Sequence, residues 1–176
     1  MSSPYDALPA VEQFTLTSAD ISDGAPLAPG QYAAMSGLAG AADRSPQLSW
    51  EGFPLATRSF VVTMYDADAP TPSGLWHWAV ADVPVGTTSL PAGVSDEAGL
   101  PDGAFHVAND LRTTGYVGAA PPPGTGKHRY FVAVHALDVP SVTTLGVTAE
   151  STPALLSFAV LGHTLARAVL VPWAGE

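Results

Sequence analysis

The sequence predicts a mainly β domain, a two-sheet β-sandwich with one helix near the C-terminus. Three observations support this prediction: several short segments rich in β-branched and aromatic residues, 17 Gly and 17 Pro without a fixed period, and one segment with helical spacing. Glycine and proline at this density are typical of turns between short strands. Many strands followed by a single helix favour two packed sheets over a helical bundle or an alternating α/β fold.

The strands follow from their residue types and alternation. Residues 14–17 alternate as a short strand, and residues 24–47, rich in Gly, Ala, Pro and Ser, predict a long surface excursion. The segment SFVVTMYD at 59–66 has apolar residues on both faces, which predicts a strand buried on both sides. Further strands are predicted at 48–50, 75–83, 128–138 and 168–171.

One segment near the C-terminus has the spacing of a helix. Thr152 is a suitable N-cap, and Pro153 fits the first helical position. A wide apolar stripe then continues to about Leu165, which predicts an amphipathic helix packed on a sheet. A single late helix beside many strands agrees with the predicted sandwich.

Period-two alternation assigns a face to each histidine of the two later long strands. In the strand at 75–83 it places His77 on the face opposite Trp76 and Trp78, among small side chains. In the strand at 128–138 it places His128 and Tyr130 on one face, with His128 at the strand entrance.

Composition and charge exclude several classes of protein. Six Lys and Arg against 16 Asp and Glu give a net charge of −10, which disfavours nucleic acid and stable association with anionic membranes. The absence of cysteine excludes disulfides, thiolate metal sites and cysteine nucleophiles. The first residues lack a basic region and a continuous apolar segment, which predicts a cytoplasmic protein. Residues 1–176 are interpreted as a single domain, with residues 1–13 as a loose N-terminal arm.

Candidate binding side chains lie where the long strands begin and end. Asp66 and Asp68 follow the first buried strand, and His77 lies within the next. His128 opens the third long strand. Such positions often carry binding residues on a rigid scaffold. Structural roles fit as well, since aspartates satisfy turns and single histidines are often satisfied core residues.

Cations and glycines beside His128 favour an anionic ligand. Three of the six Lys and Arg residues, Arg112, Lys127 and Arg129, fall close to a run of glycines. Gly-rich backbone can turn its N–H groups toward a ligand, and imidazole donors suit a phosphate. The chain has no G-x-S-x-G motif, no H-E-x-x-H motif and no G-x-G-x-x-G after a strand.

Five ordered motifs resemble the phosphatidylethanolamine-binding protein family, most closely its bacterial branch of Raf-kinase-inhibitor-like proteins. The resemblance extends from about Phe14 to Val171. Its motifs are SPQLSW at 45–50, DADAP at 66–70, WHW at 76–78, GYVGAAPPPG at 115–124 and G-x-H-R-Y at 126–130. Two residues depart from the family pattern: Ala67 replaces the usual Pro, and Ala119 stands where many members carry Pro or another small residue.

The resemblance implies a β-sandwich of the family type with a small anion pocket at one end. That pocket is formed by the D-x-D-x-P turn, the strand histidine, the G-x-H-R loop and often the C-terminal helix. Carried over to this sequence, the ligand-binding residues are Asp66, Asp68, Ala69, Pro70, His77, Gly118, Pro121, Pro122, His128 and Tyr130. The loss of proline at Ala67 is expected to loosen the turn.

The expected function is binding of a small anion or phosphorylated group, with regulation or inhibition of a partner kinase or protease as the resemblance implies. No catalytic residue, cofactor or metal is expected, a lipid head group is a weaker ligand candidate, and the resemblance implies a homodimer. Asp66 and Asp68 either orient the histidines or contact a cationic head group. Two alternatives stay open: a metal-assisted or acid/base enzyme using Asp66, Asp68, His77 and His128, and an interaction protein with a vestigial pocket.

Overall fold

The computed structural model describes residues 3–94 and 99–176. Within them, one α-helix, α1, covers Pro153–Ala159, and short 3-10 helices cover Pro4–Ala7, Pro29–Gln31, Ala34–Ser36 and Val142–Leu145. The strands are β1 (Glu12–Gln13), β2 (Thr15–Thr17), β3 (Leu48–Glu51), β4 (Ser59–Asp66), β5 (Leu75–Pro84), β6 (Ser89–Leu90), β7 (Phe105–His106), β8 (His128–Leu137), β9 (Thr164–Leu170) and β10 (Trp173–Ala174). No helix in these two ranges is long and apolar enough to cross a membrane.

The strands form two sheets, which confirms the predicted mainly β sandwich with one α-helix. The larger sheet has the order β1-β9-β8-β4-β5-β7, and β10 pairs with the beginning of β8. Its long strands β5, β4, β8 and β9 are antiparallel to one another. The smaller sheet has the order β2-β3-β6.

The main core lies between the two sheets, and a second core covers the outer face of the larger one. Trp50 of the smaller sheet packs at 5.4 Å, ring centroid to centroid, against Phe60 of β4. On the other face, Val61 of β4 belongs to a cluster with Leu156 of α1. Strand β4 is therefore buried on both sides, as its sequence predicts.

The helix is shorter than the sequence predicts, and the strand after it is longer. The apolar stripe continues to Leu165, but α1 ends at Ala159 and β9 begins at Thr164. Thr164 pairs with Leu137 of β8, and this pairing satisfies the backbone that a longer helix would have used. Tertiary strand pairing therefore overrides the local helical pattern.

Two segments expected to lie loosely on the surface are packed against the sheets. In the segment 24–47, Leu27, Gln31 and Ala33 are buried, so it is not only a surface excursion. In the described part of the N-terminal arm, β1 pairs in parallel with β9. The Tyr5 ring of that arm also lies 6.1 Å from the Phe131 ring. Residues 3–13 are therefore attached to the sheet.

Candidate functional site

Three strands bring the predicted side chains to one edge of the larger sheet. Because β4 is antiparallel to both β5 and β8, its end lies beside the beginnings of the other two. Asp66, the last residue of β4, pairs with Leu75 of β5 on one side and with Tyr130 of β8 on the other. This register places His77 and His128 on either side of the Asp66 carboxylate.

His128 is held between a carboxylate and a hydroxyl. Its Nδ1 lies 2.8 Å from Oδ2 of Asp66, and both side chains are almost fully buried. Its Nε2 lies 2.8 Å from Oγ1 of Thr125, which in turn donates to the carbonyl of Pro122. Because an ionised carboxylate only accepts, Nδ1 of His128 is the donor to Asp66. Asp66 therefore orients His128, one of the roles expected for it.

His77 lies at a β-bulge, which changes the face expected for it. Met64 pairs with Trp78 and Tyr65 pairs with Trp76, so His77 is an extra residue without a partner on β4. A bulge turns the flanking side chains to different faces, as Trp76 shows by packing at 4.5 Å on Tyr65. Simple alternation, which put Trp76 and Trp78 together and His77 among small residues, is wrong at this point.

The bulge leaves His77 with one satisfied ring nitrogen and one unsatisfied one. Nδ1 donates to the carbonyl of Val117 at 2.9 Å, and the amide of Val117 donates to the His77 carbonyl at 3.0 Å. Nε2 is buried and has no hydrogen-bond partner among the described residues. Burial lowers the pKa of His77, so the neutral ring is favoured and Nε2 presents a lone pair.

Tyr130, whose ring contacts the His77 ring, contributes a second buried polar atom. Its ring meets the His77 ring edge to face at 5.2 Å, and its side chain is fully buried. Burial and the nearby Asp66 carboxylate raise the pKa of Tyr130, which keeps its hydroxyl protonated. That hydroxyl makes no hydrogen bond of ordinary geometry to any described residue. Two buried polar atoms, one on His77 and one on Tyr130, are thus left for a ligand.

Asp68 does not orient a histidine, although this was one of the two roles expected for it. Its two carboxylate oxygens accept from the Arg129 guanidinium at 2.7 and 2.8 Å, and one of them also accepts from the Arg129 amide at 2.9 Å. The hydrogen bonds to Arg129 hold the pKa of Asp68 below its usual value. Arg129 was not among the predicted site residues. Its position next to His128 in a chain with six cations was the signal that pointed to it.

The D-x-D-x-P turn is closed by local hydrogen bonds. The amide of Asp68 donates to Oδ1 of Asp66 at 2.9 Å, an Asx turn that leaves Oδ2 for His128. The amide of Ala67 donates to the Arg129 carbonyl at 3.3 Å. A proline at that position has no such donor, so the alanine gives the turn a contact that the family's usual residue would lack. Pro70, at the end of the motif, is exposed.

The segment around Gly118 packs closely against the 24–47 segment. The Gly118 amide donates to Oδ1 of Asp43 at 2.7 Å, and a Cβ at Gly118 would overlap the backbone of Tyr32 and Ala33. Asp43 was not predicted, because 75 residues separate it from Gly118 in the chain. The 24–47 segment therefore fixes the position of Gly118.

The proline loop is held by the C-terminal strand. Ala174 of β10 pairs with His128, and a Cβ at Gly175 would overlap the carbonyl of Gly126. The ammonium of Lys127 lies 3.8 Å from the centre of the Trp173 ring. The family resemblance named the C-terminal helix as a frequent part of the pocket, but the C-terminal element beside this loop is strand β10. Pro121 borders a groove with Gly175, whereas Pro122 reaches the histidine through its carbonyl and Thr125.

Within residues 3–94 and 99–176, no three His, Asp or Glu side chains are grouped so that they can hold a metal ion. The reason is visible at the turn, where Asp68 faces Arg129 and only Asp66 faces the histidines. The arrangement offers instead one carboxylate, two imidazoles and one phenol at one edge of the larger sheet.

Comparisons with known proteins place the chain among relatives of one family. The family profile described as phosphatidylethanolamine-binding protein matches residues 17–172. The protein YbhB of Escherichia coli K12 is 46% identical over 125 residues, which cover 70% of this chain and 77% of YbhB. YbcL of the same strain is 38% identical over 161 residues, covering 90% of this chain and 86% of its own.

Solved structures show the same fold. The crystal structure of Escherichia coli YbcL, described as a new member of the mammalian PEBP family, matches with a TM-score of 0.86 and 36% identity over 93% of this chain and 99% of that one. The homologue CT736 of Chlamydia trachomatis matches with a TM-score of 0.72 and 26% identity over 94% of this chain and 99% of its own.

Proposed function

The chain belongs to the phosphatidylethanolamine-binding protein family, and we propose that it binds a small anion or phosphorylated group between His77, His128 and Tyr130. The observation that carries this proposal is the pair of buried polar atoms, Nε2 of His77 and the Tyr130 hydroxyl, that have no partner among the described residues. Buried polar groups are normally hydrogen-bonded, so two exceptions on rings that contact each other favour a ligand that satisfies them.

The hydrogen-bonding groups of His77 and Tyr130 determine which donors and acceptors the ligand must supply. With Nδ1–H of His77 given to Val117, the neutral ring accepts at Nε2 and donates there only as an imidazolium. The Tyr130 hydroxyl donates. A protonated phosphate oxygen or the ammonium of a head group can donate to His77, while an unprotonated phosphate oxygen can accept from Tyr130. A phosphate monoester, which carries both kinds of oxygen, fits better than a fully ionised anion.

The contact between His128 and Thr125 is one that a ligand can replace. With Nδ1–H of His128 given to Asp66, a second hydrogen bond can be donated only from Nε2 of the imidazolium. Nε2 faces the Thr125 hydroxyl, on an exposed part of the loop, so an anion can replace that hydroxyl. A phosphorylated side chain of a partner protein presents the same chemistry, which extends the proposal to regulation of a kinase or protease.

A metal-assisted or acid/base enzyme has less support than a binding protein. Such an enzyme would need both Asp66 and Asp68 as ligands or proton carriers, but Arg129 occupies both oxygens of Asp68. Thr125, His128 and Asp66 do have the contact distances of a hydroxyl nucleophile, its base and an orienting carboxylate, but the Thr125 hydroxyl donates its proton to the carbonyl of Pro122 instead of to the histidine. An interaction protein with a vestigial pocket becomes the better description if no phosphorylated ligand binds.

The proposal is tested by calorimetric titration of phosphate, phosphoethanolamine and a phosphoserine peptide. We expect binding to the wild-type protein and at least a tenfold loss of affinity in His128→Ala and in Tyr130→Phe. His163→Ala is the matched control, because His163 also contacts a carboxylate, Asp138, but does so at the surface. Tyr130→Phe keeps the ring in the core, so it separates loss of the hydroxyl from loss of folding.

Unchanged affinity in both His128→Ala and Tyr130→Phe rejects this site. Absence of binding by all three phosphorylated probes supports the vestigial pocket. Turnover of a phosphoester by the wild type that both variants lose supports the enzyme.

A further inference from the structure

A second cavity lies on the opposite face of the larger sheet, under the N-terminal arm and α1. It measures about 200 Å³ and is bordered by Tyr5 and Leu8 of the arm and by Val160 and Leu161 after the helix. Its floor includes Tyr65 and Trp76, the pair that the β-bulge turns away from the main core. The cavity is separate from the His77 site because the strand backbones lie between them.

Arg167 of β9 places a cation at this cavity. Its Nε donates to Nδ1 of His135 at 3.3 Å, and its guanidinium carbon lies 4.5 Å from the centre of the Tyr5 ring. No carboxylate of the described residues lies within ion-pair distance of Arg167. Arg129, by contrast, is paired with both oxygens of Asp68.

The neighbours of Arg167 do not neutralise its charge. Burial, and to a smaller extent the charge of Arg167, lower the pKa of His135 to about 3, so His135 is an uncharged acceptor. Burial raises the pKa of Tyr5 to about 12, which keeps its hydroxyl neutral. The guanidinium is half-buried and its pKa is lowered by burial, so an anionic partner would offset part of its desolvation.

The rest of the lining sets the size and polarity of an occupant. An apolar cavity of about 150 Å³ accommodates benzene, so a cavity of about 200 Å³ can hold one aromatic ring with a short substituent. Tyr65 and Trp76 offer aromatic faces, and Val160 and Leu161 offer aliphatic contacts. A planar carboxylate is the anion that matches a guanidinium in two parallel hydrogen bonds.

We propose that this cavity binds a small monocyclic aromatic carboxylate, with its carboxylate paired to Arg167 and its ring against Trp76 and Tyr65. The carboxylates of Asp66 and Asp110 oppose this binding, since their negative charges act on Tyr65. A ligand of this size in such a field is expected to bind with a dissociation constant in the millimolar range or somewhat tighter.

The test uses benzoate and phenylacetate as probes and benzyl alcohol as their neutral analogue, with affinities measured by protein-detected NMR titration. In Arg167→Gln we expect at least a tenfold weaker affinity for both carboxylates and less than about a twofold change for benzyl alcohol. Arg58→Gln, an exposed arginine outside the cavity, controls for the loss of one positive charge. Ser157→Leu, which fills the cavity from α1, is expected to abolish binding of all three probes.

Three results overturn the proposal: no saturable binding of either carboxylate, equal carboxylate affinity in wild type and Arg167→Gln, or competition of benzoate with inorganic phosphate together with its loss in His128→Ala. The last result would assign the carboxylate to the His77 site. Unchanged benzoate binding in His128→Ala, with loss in Ser157→Leu, supports the second cavity independently of the first site's function.

Discussion

The rings of His77 and Tyr130 meet edge to face at 5.2 Å because His77 is the extra residue of a β-bulge. Without the bulge, alternation would place His77 on the outer face of the sheet, away from Tyr130 and Asp66. One inserted residue therefore brings the second histidine of the site to the same side as the first. Bulges next to binding sites commonly redirect a side chain in this way.

The Asp66 and His128 pair is expected to matter for both stability and binding. Asp66→Asn removes the charge that accepts from Nδ1 of His128 while keeping the side-chain shape. Because the pair is almost fully buried, we expect a loss of about 1–3 kcal/mol in the free energy of unfolding and weaker binding of phosphate. Urea denaturation and calorimetry measure the two effects.

Asp138→Asn serves as the comparison for that variant, because Asp138 makes a contact of the same length to His163 at the surface. Its effect on unfolding is expected to stay below about 1 kcal/mol. Equal effects of the two substitutions would contradict a special role for the buried pair.

The affinity for a fully ionised anion should rise on acidification. Burial lowers the pKa of His77, so near neutral pH its Nε2 accepts, and it becomes a donor only when the ring takes up a proton. Sulfate is the suitable probe, since it stays a dianion between about pH 5 and pH 8 while histidines titrate. We expect sulfate to bind more tightly at the acidic end, and His77→Gln to reduce this pH dependence. A pH-independent affinity in the wild type would be inconsistent with this account.

His135 is expected to make the fold less stable in acid. Burial lowers its pKa to about 3 in the folded chain, whereas in the unfolded chain it has the usual pKa of about 6.5. Between these two pH values the unfolded chain binds a proton that the folded chain does not bind. Stability is therefore fully present above about pH 6.5 and falls by about 1.4 kcal/mol per pH unit as the pH drops toward the folded-state pKa.

The contribution of His135 is isolated by urea unfolding of wild type and His135→Gln between about pH 4.5 and pH 7. We expect the free energy of unfolding of His135→Gln to change less with pH than that of the wild type, by the amount that corresponds to one proton. The surface variant His163→Gln should retain the wild-type dependence on pH. Identical slopes in wild type and His135→Gln would show that His135 is protonated in the folded state.

Gly118 should tolerate no side chain, because the backbone of the 24–47 segment occupies the space that a Cβ would need. A Cβ at this position would overlap Tyr32 and Ala33, so Gly118→Ala is expected to lower the free energy of unfolding by about 2–3 kcal/mol. Gly30→Ala is the matched control, since a Cβ there meets no atom within 4 Å, and its effect should stay within about 0.5 kcal/mol. A Gly118→Ala protein as stable as Gly30→Ala would mean that the two segments can separate at little cost.

Much of the fold could be predicted from local residue types. The segment SFVVTMYD forms β4 with the predicted bounds, and β5 and β8 differ from their predicted bounds by one residue at one end. These strands are long and rich in β-branched and aromatic residues, so local preference and burial agree. The helix end at Ala159 and the early start of β9 were not predictable, because they depend on pairing with β8.

The sequence by itself determined which residues meet at the site: Asp66, His77, His128 and Tyr130 lie near strand ends that antiparallel pairing brings to one edge of the sheet. The tertiary structure decided how they meet. The bulge at His77, the pairing of Asp68 with Arg129 and the support of Gly118 by Asp43 each depend on the register between segments distant in the chain. A one-residue change in that register reverses the face of a side chain, and residue types along a single strand do not encode it.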